Sequence, residues 1–373
     1  IRGSEAERAF TIPLSVKQFH PLPDGRWFVL TRRPMTPPED LPADQPQPGR
    51  DYTVFDELPF WADGLGMING TRMSGWIFDP ADGSVNQITP PTYDGAAVSP
   101  EGSRILYWGV SFEGIRPDYR QLMLYDLATG QTRSLVPDGK YRITQVGWWG
   151  TDIWFEGGDP HTSVSRSPKL YLLNPATGDC RTFCAPDGFL GTSAIGDMSL
   201  GGVKVCAVQG DSLYAVRLQR DVTALLRFDK AGNFAPVASY EGIACFDIIG
   251  ENAYLAAFRD HRPQELYRQP LSGGEPERLT QFHDAFLETR QISRPEHITF
   301  RSRDGQEVDG WVIRPSGYEP GKKYPGVLNI HGGPKAAYGS QYYHEMQLLA
   351  AGGRFVFYTN PHGSDGRGQD YFD

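Results

Sequence analysis

The residues best suited to catalysis lie near the C-terminal end of the sequence, in the segment His331–Pro334, which reads His-Gly-Gly-Pro. This segment follows a short apolar run, residues 324–330, that has the composition of a β-strand. A strand that breaks into glycines leaves backbone N–H groups exposed at its C-terminal edge, and glycine allows close approach because it has no Cβ. Such N–H groups can stabilise the negative charge that develops on a carbonyl oxygen during acyl transfer. The segment therefore predicts half of an oxyanion-binding site.

A nucleophile that could use this site is not apparent in the sequence. A catalytic serine of this kind is expected in a Gly-x-Ser-x-Gly turn, and that pattern does not occur before Asp373. Ser364 ends the polar segment Asn360–Ser364 and stands in Gly-Ser-Asp-Gly, which has the wrong spacing. We therefore expect the nucleophile, the acid and the base to lie beyond residue 373.

The residues around these motifs predict a strand, a helix and a second strand. Ser340 is the expected helix N-cap, about eleven helical residues follow, and Gly352–Gly353 end the helix. Residues 354–359 form the next strand, and a strand–helix–strand order implies parallel pairing. A hairpin that alternates around Asp304–Gly305 precedes them. Residues 291–373 are thus predicted to be the first part of an α/β domain.

Upstream of this region the sequence repeats a hairpin pattern. Apolar pairs are followed by Asp or Asn, a turn and a glycine; these glycines are Gly83, Gly130, Gly178, Gly232 and Gly273, at steps of 47, 48, 54 and 41 residues. A second kind of hairpin lies within residues 19–29, 97–108, 145–155, 198–208 and 245–255. Two hairpins per period of roughly 40–50 residues are typical of a four-stranded propeller blade. The sequence predicts a mostly β protein with at least five blades.

The start of the sequence falls within this repeat. Gly3–Arg8 is similar to Gly273–Arg278, which closes the last visible period. We therefore expect residue Ile1 to enter in the middle of a blade and the N-terminal blades to be missing. On this interpretation the propeller spans residues 1–290.

Two segments of the first period leave alternatives open. Pro34–Tyr52 is rich in proline and cannot hold a central strand; it is either an extended surface loop or a loop that leans toward a substrate chamber. Asp56–Trp61 mixes carboxylates with aromatic residues. It is either a solvated loop end or a place where carboxylates hold the ammonium terminus of a peptide.

Composition limits the class of function. Glycine (43) and proline (30) make many turns more probable than long helices. A formal charge of −9 without a basic stripe argues against nucleic acid and anionic membrane as partners. No apolar run reaches the roughly 18 residues of a transmembrane helix. The cysteines lack zinc spacing and are predicted to be reduced thiols in strands, which suits a cytoplasmic location; they are Cys180, Cys184, Cys206 and Cys245.

Together these features resemble the prolyl oligopeptidase family of serine peptidases, most of all its bacterial acylaminoacyl-peptidase and dipeptidyl-peptidase branch. The resemblance rests on His331–Pro334, on Asn360–Ser364 with Gly366 and Gly368, and on the repeat directly upstream. His362 stands where the family usually has arginine, which puts any structural ion pair from that position in doubt. The resemblance implies an α/β-hydrolase domain behind a β-propeller.

The resemblance also implies roles for three residues. Gly333 would offer its backbone N–H to the oxyanion, and His331 and Gly332 would shape the loop. In hydrolases of this fold the catalytic histidine follows the nucleophile and the acid, so His331 is not expected to be the proton shuttle. The triad would lie in the remainder of the catalytic domain.

The leading hypothesis is a portion of a serine exopeptidase or oligopeptidase that acts on short peptides, with the propeller as a gate. The alternatives are a non-catalytic propeller that binds a partner and carries a vestigial hydrolase stub, or an esterase. The expected partners are short peptides and the rest of the catalytic domain, without nucleic acid or membrane. A homo-oligomer is compatible with the sequence, and neither a cofactor nor a metal is expected.

Overall fold

Short β-strands, nearly all of them paired antiparallel, are the main elements of the described residues. The computed structural model describes residues 9–34, 55–62, 65–91, 93–192, 194–333 and 335–372. The chain divides into unit 1 (Ile1–His161 with Leu173–Cys180) and unit 2 (Thr162–Leu172 with Arg181–Asp373). Unit 2 runs through residue 290, and the division into domains 1–290 and 291–373 stays a prediction.

The elements in the described ranges are short. The strands are β1 (Val16–Pro21), β2 (Trp27–Pro34), β3 (Trp61–Ala62), β4 (Gly66–Met67), β5 (Thr71–Phe78), β6 (Val85–Gln87), β7 (Tyr93–Val98), β8 (Arg104–Gly109), β9 (Gln121–Asp126), β10 (Thr132–Ser134), β11 (Arg142–Trp149), β12 (Asp152–Gly158), β13 (Lys169–Leu173), β14 (Cys180–Cys184), β15 (Cys206–Gln209), β16 (Ser212–Gln219), β17 (Val222–Phe228), β18 (Phe234–Tyr240), β19 (Gly242–Ile249), β20 (Asn252–Phe258), β21 (Glu265–Pro270), β22 (Glu277–Arg278), β23 (Pro295–Arg301), β24 (Glu307–Ile313), β25 (Gly326–Asn329) and β26 (Phe355–Asn360). The helices are α1 (Asp284–Glu288), α2 (His344–Ala351) and α3 (Gln369–Phe372). None of these helices is long and apolar enough to cross a membrane.

Unit 1 contains two four-stranded antiparallel sheets, in the orders β1-β2-β5-β6 and β7-β8-β9-β10, and the hairpin β11–β12. Inward-facing residues of the first two sheets form one core, which includes Phe28, Ile77, Ile105 and Tyr107. Alternation of buried and exposed positions along each strand places these side chains on a single face. Strands β13 and β14 lie where the chain divides between the units.

Unit 2 contains two further four-stranded antiparallel sheets, β15-β16-β17-β18 and β19-β20-β21-β22, and a mixed sheet. The mixed sheet has the order β23-β24-β26-β25, in which β25 and β26 are parallel and the other pairs antiparallel. The predicted parallel pairing across the helix is confirmed. The core of this sheet includes Trp311, which stacks on Tyr358 with ring centroids 5.4 Å apart.

The turn glycines of the repeat are confirmed. Each of the five predicted glycines has a positive φ, from 69° at Gly130 to 99° at Gly232. In the first copies the glycine N–H donates to the Asp carbonyl oxygen four residues earlier, as in Gly83 to Asp79 at 2.9 Å. At Gly232 a Cβ would lie 1.8 Å from the carbonyl oxygen of Phe183, so both torsion and space require glycine there.

The second kind of hairpin is confirmed in four copies and wrong in one. Residues 198–208 were expected to form a strand–turn–strand unit, but β15 begins only at Cys206 and pairs with β16 through a turn at Gly210. The carbonyl oxygens of Lys204 and Val205 accept hydrogen bonds from the backbone N–H groups of Phe246 and Val216, so this segment bonds to β19 and β16 rather than to residues 198–200. Two successive glycines at 201–202, both at φ 91°, keep the preceding residues out of strand geometry.

Several predicted features lie outside the described residues. They are Gly3–Arg8, positions 35–52 of the proline-rich segment, and Pro334.

The four cysteines are free thiols in strands, as predicted. Burial raises the pKa of the Cys184 thiol, which keeps this residue protonated and unreactive.

The N-cap prediction for α2 is wrong. The helix begins at His344, four residues after Ser340, and its N-cap residue Tyr343 makes no side-chain cap. The carboxylate of Asp197 caps the helix from a distant segment: Oδ1 accepts from the backbone N–H of His344 at 2.9 Å and Oδ2 from that of Glu345 at 2.7 Å. A carboxylate at this position also meets the positive end of the helix dipole. The predicted end at Gly352–Gly353 is confirmed.

Replacement of the distant cap should weaken α2 locally. We expect Asp197→Ala to lower the free energy of opening of the first turn by about 0.5–2 kcal/mol, the usual cost of a lost N-cap. Hydrogen exchange of the His344 and Glu345 amides in the full-length protein measures this. Ser340→Ala is the matched control and should change it by less than about 0.5 kcal/mol. Equal effects of the two substitutions would contradict the assignment of the cap.

Candidate active site

The two glycine-rich motifs lie at the same edge of the mixed sheet. β25 is the third strand of that sheet in chain order, and its parallel neighbour is β26, with Val327 opposite Val356 and Asn329 opposite Tyr358. Parallel strands present their carboxyl ends at one edge, which is where ligands bind in sheets of this type. The loop that begins after β25 and the loop that begins after β26 are therefore neighbours.

Asn360, at the end of β26, ties the two loops together. Its side-chain Nδ2 donates to the carbonyl oxygen of Tyr338 at 2.8 Å, and its Oδ1 accepts from the Tyr338 N–H at 2.7 Å. Asn360 is only 3% exposed. These two reciprocal hydrogen bonds satisfy the side-chain amide of Asn360 and both backbone groups of Tyr338. They fix the segment that follows the His-Gly-Gly-Pro motif relative to the end of β26.

Tyr338 extends this anchor back to β25. Burial raises the pKa of its phenol to about 12, so the hydroxyl keeps its proton and donates to Oδ1 of Asn329 at 2.5 Å. The Tyr338 ring also meets the ring of His331 edge-on, at 5.1 Å between centroids. The loop is thus held at both ends by buried polar and aromatic contacts.

His331 forms a hydrogen bond with Ser364 of the second motif. Its Nδ1 lies 2.8 Å from the carbonyl oxygen of Gly332, which can only accept, so Nδ1 carries the proton. Nε2 then accepts from the hydroxyl of Ser364 at 3.1 Å. Ser364 is only 1% exposed, and no carboxylate orients the histidine in the described part of the chain. This pair lacks the exposed nucleophile and the acid of a catalytic triad, and it instead joins the two loops.

Gly332 and Gly333 are exposed at the tip of the first loop. Within the described ranges the backbone N–H of Gly333 donates to no acceptor. A Cβ at Gly333 would lie 3.0 Å from the backbone nitrogen of Lys335, whereas one at Gly332 would meet nothing within 4 Å. Space rather than torsion therefore favours glycine at 333, and its amide is available to an incoming oxygen.

Lys335 anchors the far side of this loop and was not predicted. Its backbone has a positive φ of 60°, and the residue is 8% exposed. Nζ donates to Oγ of Ser167 at 3.0 Å and to Oε1 of Gln369 at 3.3 Å, between the rings of Phe189 and Phe372. The contacts to residues 167 and 189 are too distant in sequence to appear in any local pattern.

A second unpredicted anchor is the buried carboxylate of Asp309, which is 1% exposed. It accepts from Nε and Nη2 of Arg220 at 2.8 and 2.7 Å and from Nε2 of His297 at 2.9 Å. Burial alone would raise the pKa of Asp309, but the hydrogen bonds from Arg220 and His297 outweigh it and lower the pKa below its usual value. Arg367, at 3.4 Å, adds a second arginine.

This anchor reaches the second loop through the backbone. The N–H of Arg220 donates to the carbonyl oxygen of Gly366 at 2.6 Å, and a Cβ at Gly366 would lie within 2.6 Å of that backbone. His362 is exposed, and its ring contacts the ring of Tyr371. The structural ion pair of this region therefore comes from Arg220 and Arg367 rather than from position 362.

The carboxylate of Glu57 is not a free acceptor for an ammonium group. It forms an ion pair with Arg72, with 3.0 Å between Oε2 and Nη1, and it accepts from the Gly70 N–H at 2.8 Å. The hydrogen bond from Arg72 lowers the pKa of Glu57. Glu57 is therefore neither part of a solvated loop end nor a binding site for an ammonium group.

The Asp309 ion pairs predict a pH dependence of stability. Because its pKa is lower in the folded state, the carboxylate stabilises the fold above the usual aspartate pKa of about 4, and this contribution is lost as the pH falls through the lowered folded-state pKa. Asp309→Asn should lower the free energy of unfolding at pH 7 by about 1–3 kcal/mol and flatten the loss on acidification. Urea unfolding at pH 7 and pH 3 measures both effects. Asp211→Asn, in an exposed turn, removes the same charge and should leave the wild-type profile; an Asp309→Asn profile as steep as that of wild type would refute the assignment.

Comparisons with known proteins bear on this site. No family model matches the sequence. The chain is 36% identical over 191 residues to an uncharacterized peptidase, YuxL, of Bacillus subtilis, which covers 50% of this chain and 29% of that protein. It is 21% identical over 302 residues to dipeptidyl-peptidase 5 of Porphyromonas gingivalis, which covers 80% of this chain and 35% of that protein. The matched regions thus span about a third of each relative.

Solved structures share the fold over nearly the whole chain. Acylaminoacyl peptidase from Pyrococcus horikoshii superposes with a TM-score of 0.73 at 23% identity, over 96% of this chain and 53% of that one. A puromycin-hydrolyzing peptidase of Mycobacterium tuberculosis gives a TM-score of 0.65 at 16% identity, over 95% and 52%. At these identities the likeness shows the fold, and the chain spans about half the length of each.

Proposed function

We propose a function from the premise that this chain belongs to the prolyl oligopeptidase family of serine peptidases. The chain is part of a serine peptidase that cleaves short peptides, and it contributes half of the oxyanion hole. Relatives and fold neighbours named as dipeptidyl, acylaminoacyl and puromycin-hydrolyzing peptidases support this substrate class.

The observation that carries the proposal is the free, exposed amide of Gly333. It lies in the loop after the third strand of the mixed sheet, and the corresponding loop of α/β-hydrolases supplies an oxyanion donor. One such donor is worth about 3–4 kcal/mol of transition-state stabilisation, or 10²–10³ in rate. His331, Gly332 and the anchors at Asn360 and Lys335 hold the loop so that this amide needs no reorganisation during reaction.

The other parts of the machinery are assigned by the same proposal. The mixed sheet is the start of an α/β-hydrolase domain, and the serine, histidine and acid of the triad lie in the remainder of that domain. The four-stranded antiparallel sheets are propeller blades that admit short or unfolded peptides to the site. The assignment of these sheets as blades is supported by the sequence repeat of two hairpins per period, because four-stranded antiparallel sheets occur in both units. Propeller closure, cytoplasmic location and assembly into a homo-oligomer stay predictions.

The first test is activity of the full-length protein that contains this chain. We expect turnover of short peptide amides and covalent labelling by a serine-directed fluorophosphonate. Turnover of simple esters without any turnover of peptides would favour an esterase. Absence of both labelling and turnover in folded protein would end the proposal.

The second test displaces the proposed donor. Gly333→Ala brings a methyl group to 3.0 Å from the Lys335 nitrogen and should reorient the amide. We expect kcat/KM for a peptide amide to fall at least about tenfold, toward the 10²–10³-fold loss of a missing oxyanion donor.

Gly326→Ala is the control because a Cβ at that position, on the preceding strand, meets nothing within 4 Å. It should change kcat/KM by less than about threefold, since it alters no contact of the loop. If Gly333→Ala is folded and as active as Gly326→Ala, the Gly333 amide does not stabilise the transition state.

A further inference from the structure

Unit 1 contains a small cavity rich in arginine. Its volume is about 50 Å³, which suits one carboxylate or phosphate group, given that a water molecule takes about 30 Å³ in the liquid. Its charged lining residues are Arg32, Arg72, Arg116, Glu57 and Asp94. The wall between them is mostly apolar and includes the ring of Phe112.

Both carboxylates of this cavity already have a partner. Glu57 is held by Arg72 and by the Gly70 N–H. Asp94 forms an ion pair with Arg120. Neither acid is therefore left to neutralise the other two arginines of the lining.

Neither Arg32 nor Arg116 forms an ion pair with another described residue. Within the described part of the chain, neither guanidinium has a carboxylate within 4 Å, and the contact of Arg32 is the sulfur of Met73 at 4.0 Å. Arg72 is 8% exposed, and its Nη1 and Nη2 are held by Glu57 and by the carbonyl oxygens of Thr71 and Phe112. The cavity thus has two arginines, Arg32 and Arg116, whose charge no ion pair balances within the described residues.

Partial burial disfavours the charged form of Arg116. Burial lowers the pKa of Arg116 and the nearby charge of Arg120 lowers it further, while the carboxylates of Asp94 and Asp118 act in the opposite direction without reversing the shift. A buried cation is stabilised when an opposite charge and hydrogen bonds satisfy it. The planar guanidinium groups match the paired oxygens of carboxylate and phosphate better than they match a halide or a neutral amide.

We propose that this cavity binds one oxyanion group, either the carboxylate of a peptide or a phosphate, through Arg32 and Arg116. The proposal concerns residues of unit 1 alone and does not depend on the function assigned to Gly333. An oxyanion here would balance the charge of these two arginines.

The test is calorimetric titration of the full-length protein, treated with fluorophosphonate so that peptides stay intact, in low-chloride buffer. The probes are inorganic phosphate, an N-acetylated tripeptide with a free C-terminal carboxylate, and the same tripeptide as its C-terminal amide. We expect phosphate or the free acid to bind and the amide not to bind at this site. Arg116→Gln should raise the Kd about 10- to 100-fold, the worth of a hydrogen bond to a charged group.

Arg26→Gln is the matched control, because Arg26 pairs with Asp24 on the surface of unit 1 and lies outside the cavity lining. It removes the same charge and should leave the Kd within about twofold, since surface pairs are screened. Binding of the free acid alone identifies a peptide carboxylate as the ligand, and binding of phosphate alone identifies phosphate.

Three outcomes would overturn the proposal. Neither phosphate nor the free acid binds, or Arg116→Gln and Arg26→Gln change the Kd equally, or the tripeptide amide binds as tightly as the free acid. If circular dichroism shows that Arg116→Gln is unfolded, Arg32→Gln takes its place with the same expected loss. Retained oxyanion binding in folded Arg32→Gln would then refute the proposal.

Discussion

Parallel pairing between β25 and β26 is the constraint on which the candidate site depends. It places the ends of two strands, and therefore two glycine-rich loops that lie about thirty residues apart in sequence, at one sheet edge. The helix α2 makes this pairing possible because parallel strands need a crossover connection. Without the pairing, the His331 loop would have no neighbour to hold its amide groups in place.

Buried polar contacts turn this proximity into a fixed geometry. Asn360 holds both backbone groups of Tyr338, Lys335 reaches two oxygen acceptors, and Asp309 accepts hydrogen bonds from Arg220 and His297. Each of these groups would cost free energy if it were buried alone, and each is satisfied only when the loops adopt this arrangement. The exposed amide of Gly333 is therefore presented by a rigid frame, which is what stabilisation of a transient charge requires.

Local sequence patterns predicted the parts of this structure that depend on local physics. The turn glycines, the hairpin around Asp304–Gly305, the parallel strands and the helix end at Gly352–Gly353 all follow from backbone torsion and apolar periodicity. The glycine pair at 201–202 has the same local pattern as a hairpin turn, so the sequence alone does not distinguish the irregular segment found there from a strand–turn–strand unit.

What the sequence did not reveal depends on partners far along the chain. The cap of α2 comes from Asp197, almost 150 residues away, so the capping signal at Ser340 was overridden. The pairs Arg220–Asp309 and Lys335–Ser167 are separated by 89 and 168 residues. No local pattern marks such pairs, and the anchors of the site were found only when the chain was seen folded.

The central claim concerns the position of one backbone nitrogen. A crystal structure of the full-length protein carrying a phosphonate on its catalytic serine would place a tetrahedral oxygen where the oxyanion forms. If Gly333 supplies the oxyanion donor, its nitrogen lies about 2.7–3.1 Å from that oxygen. A Gly333 amide that points away from the adduct, or that is bonded within the protein, would contradict it.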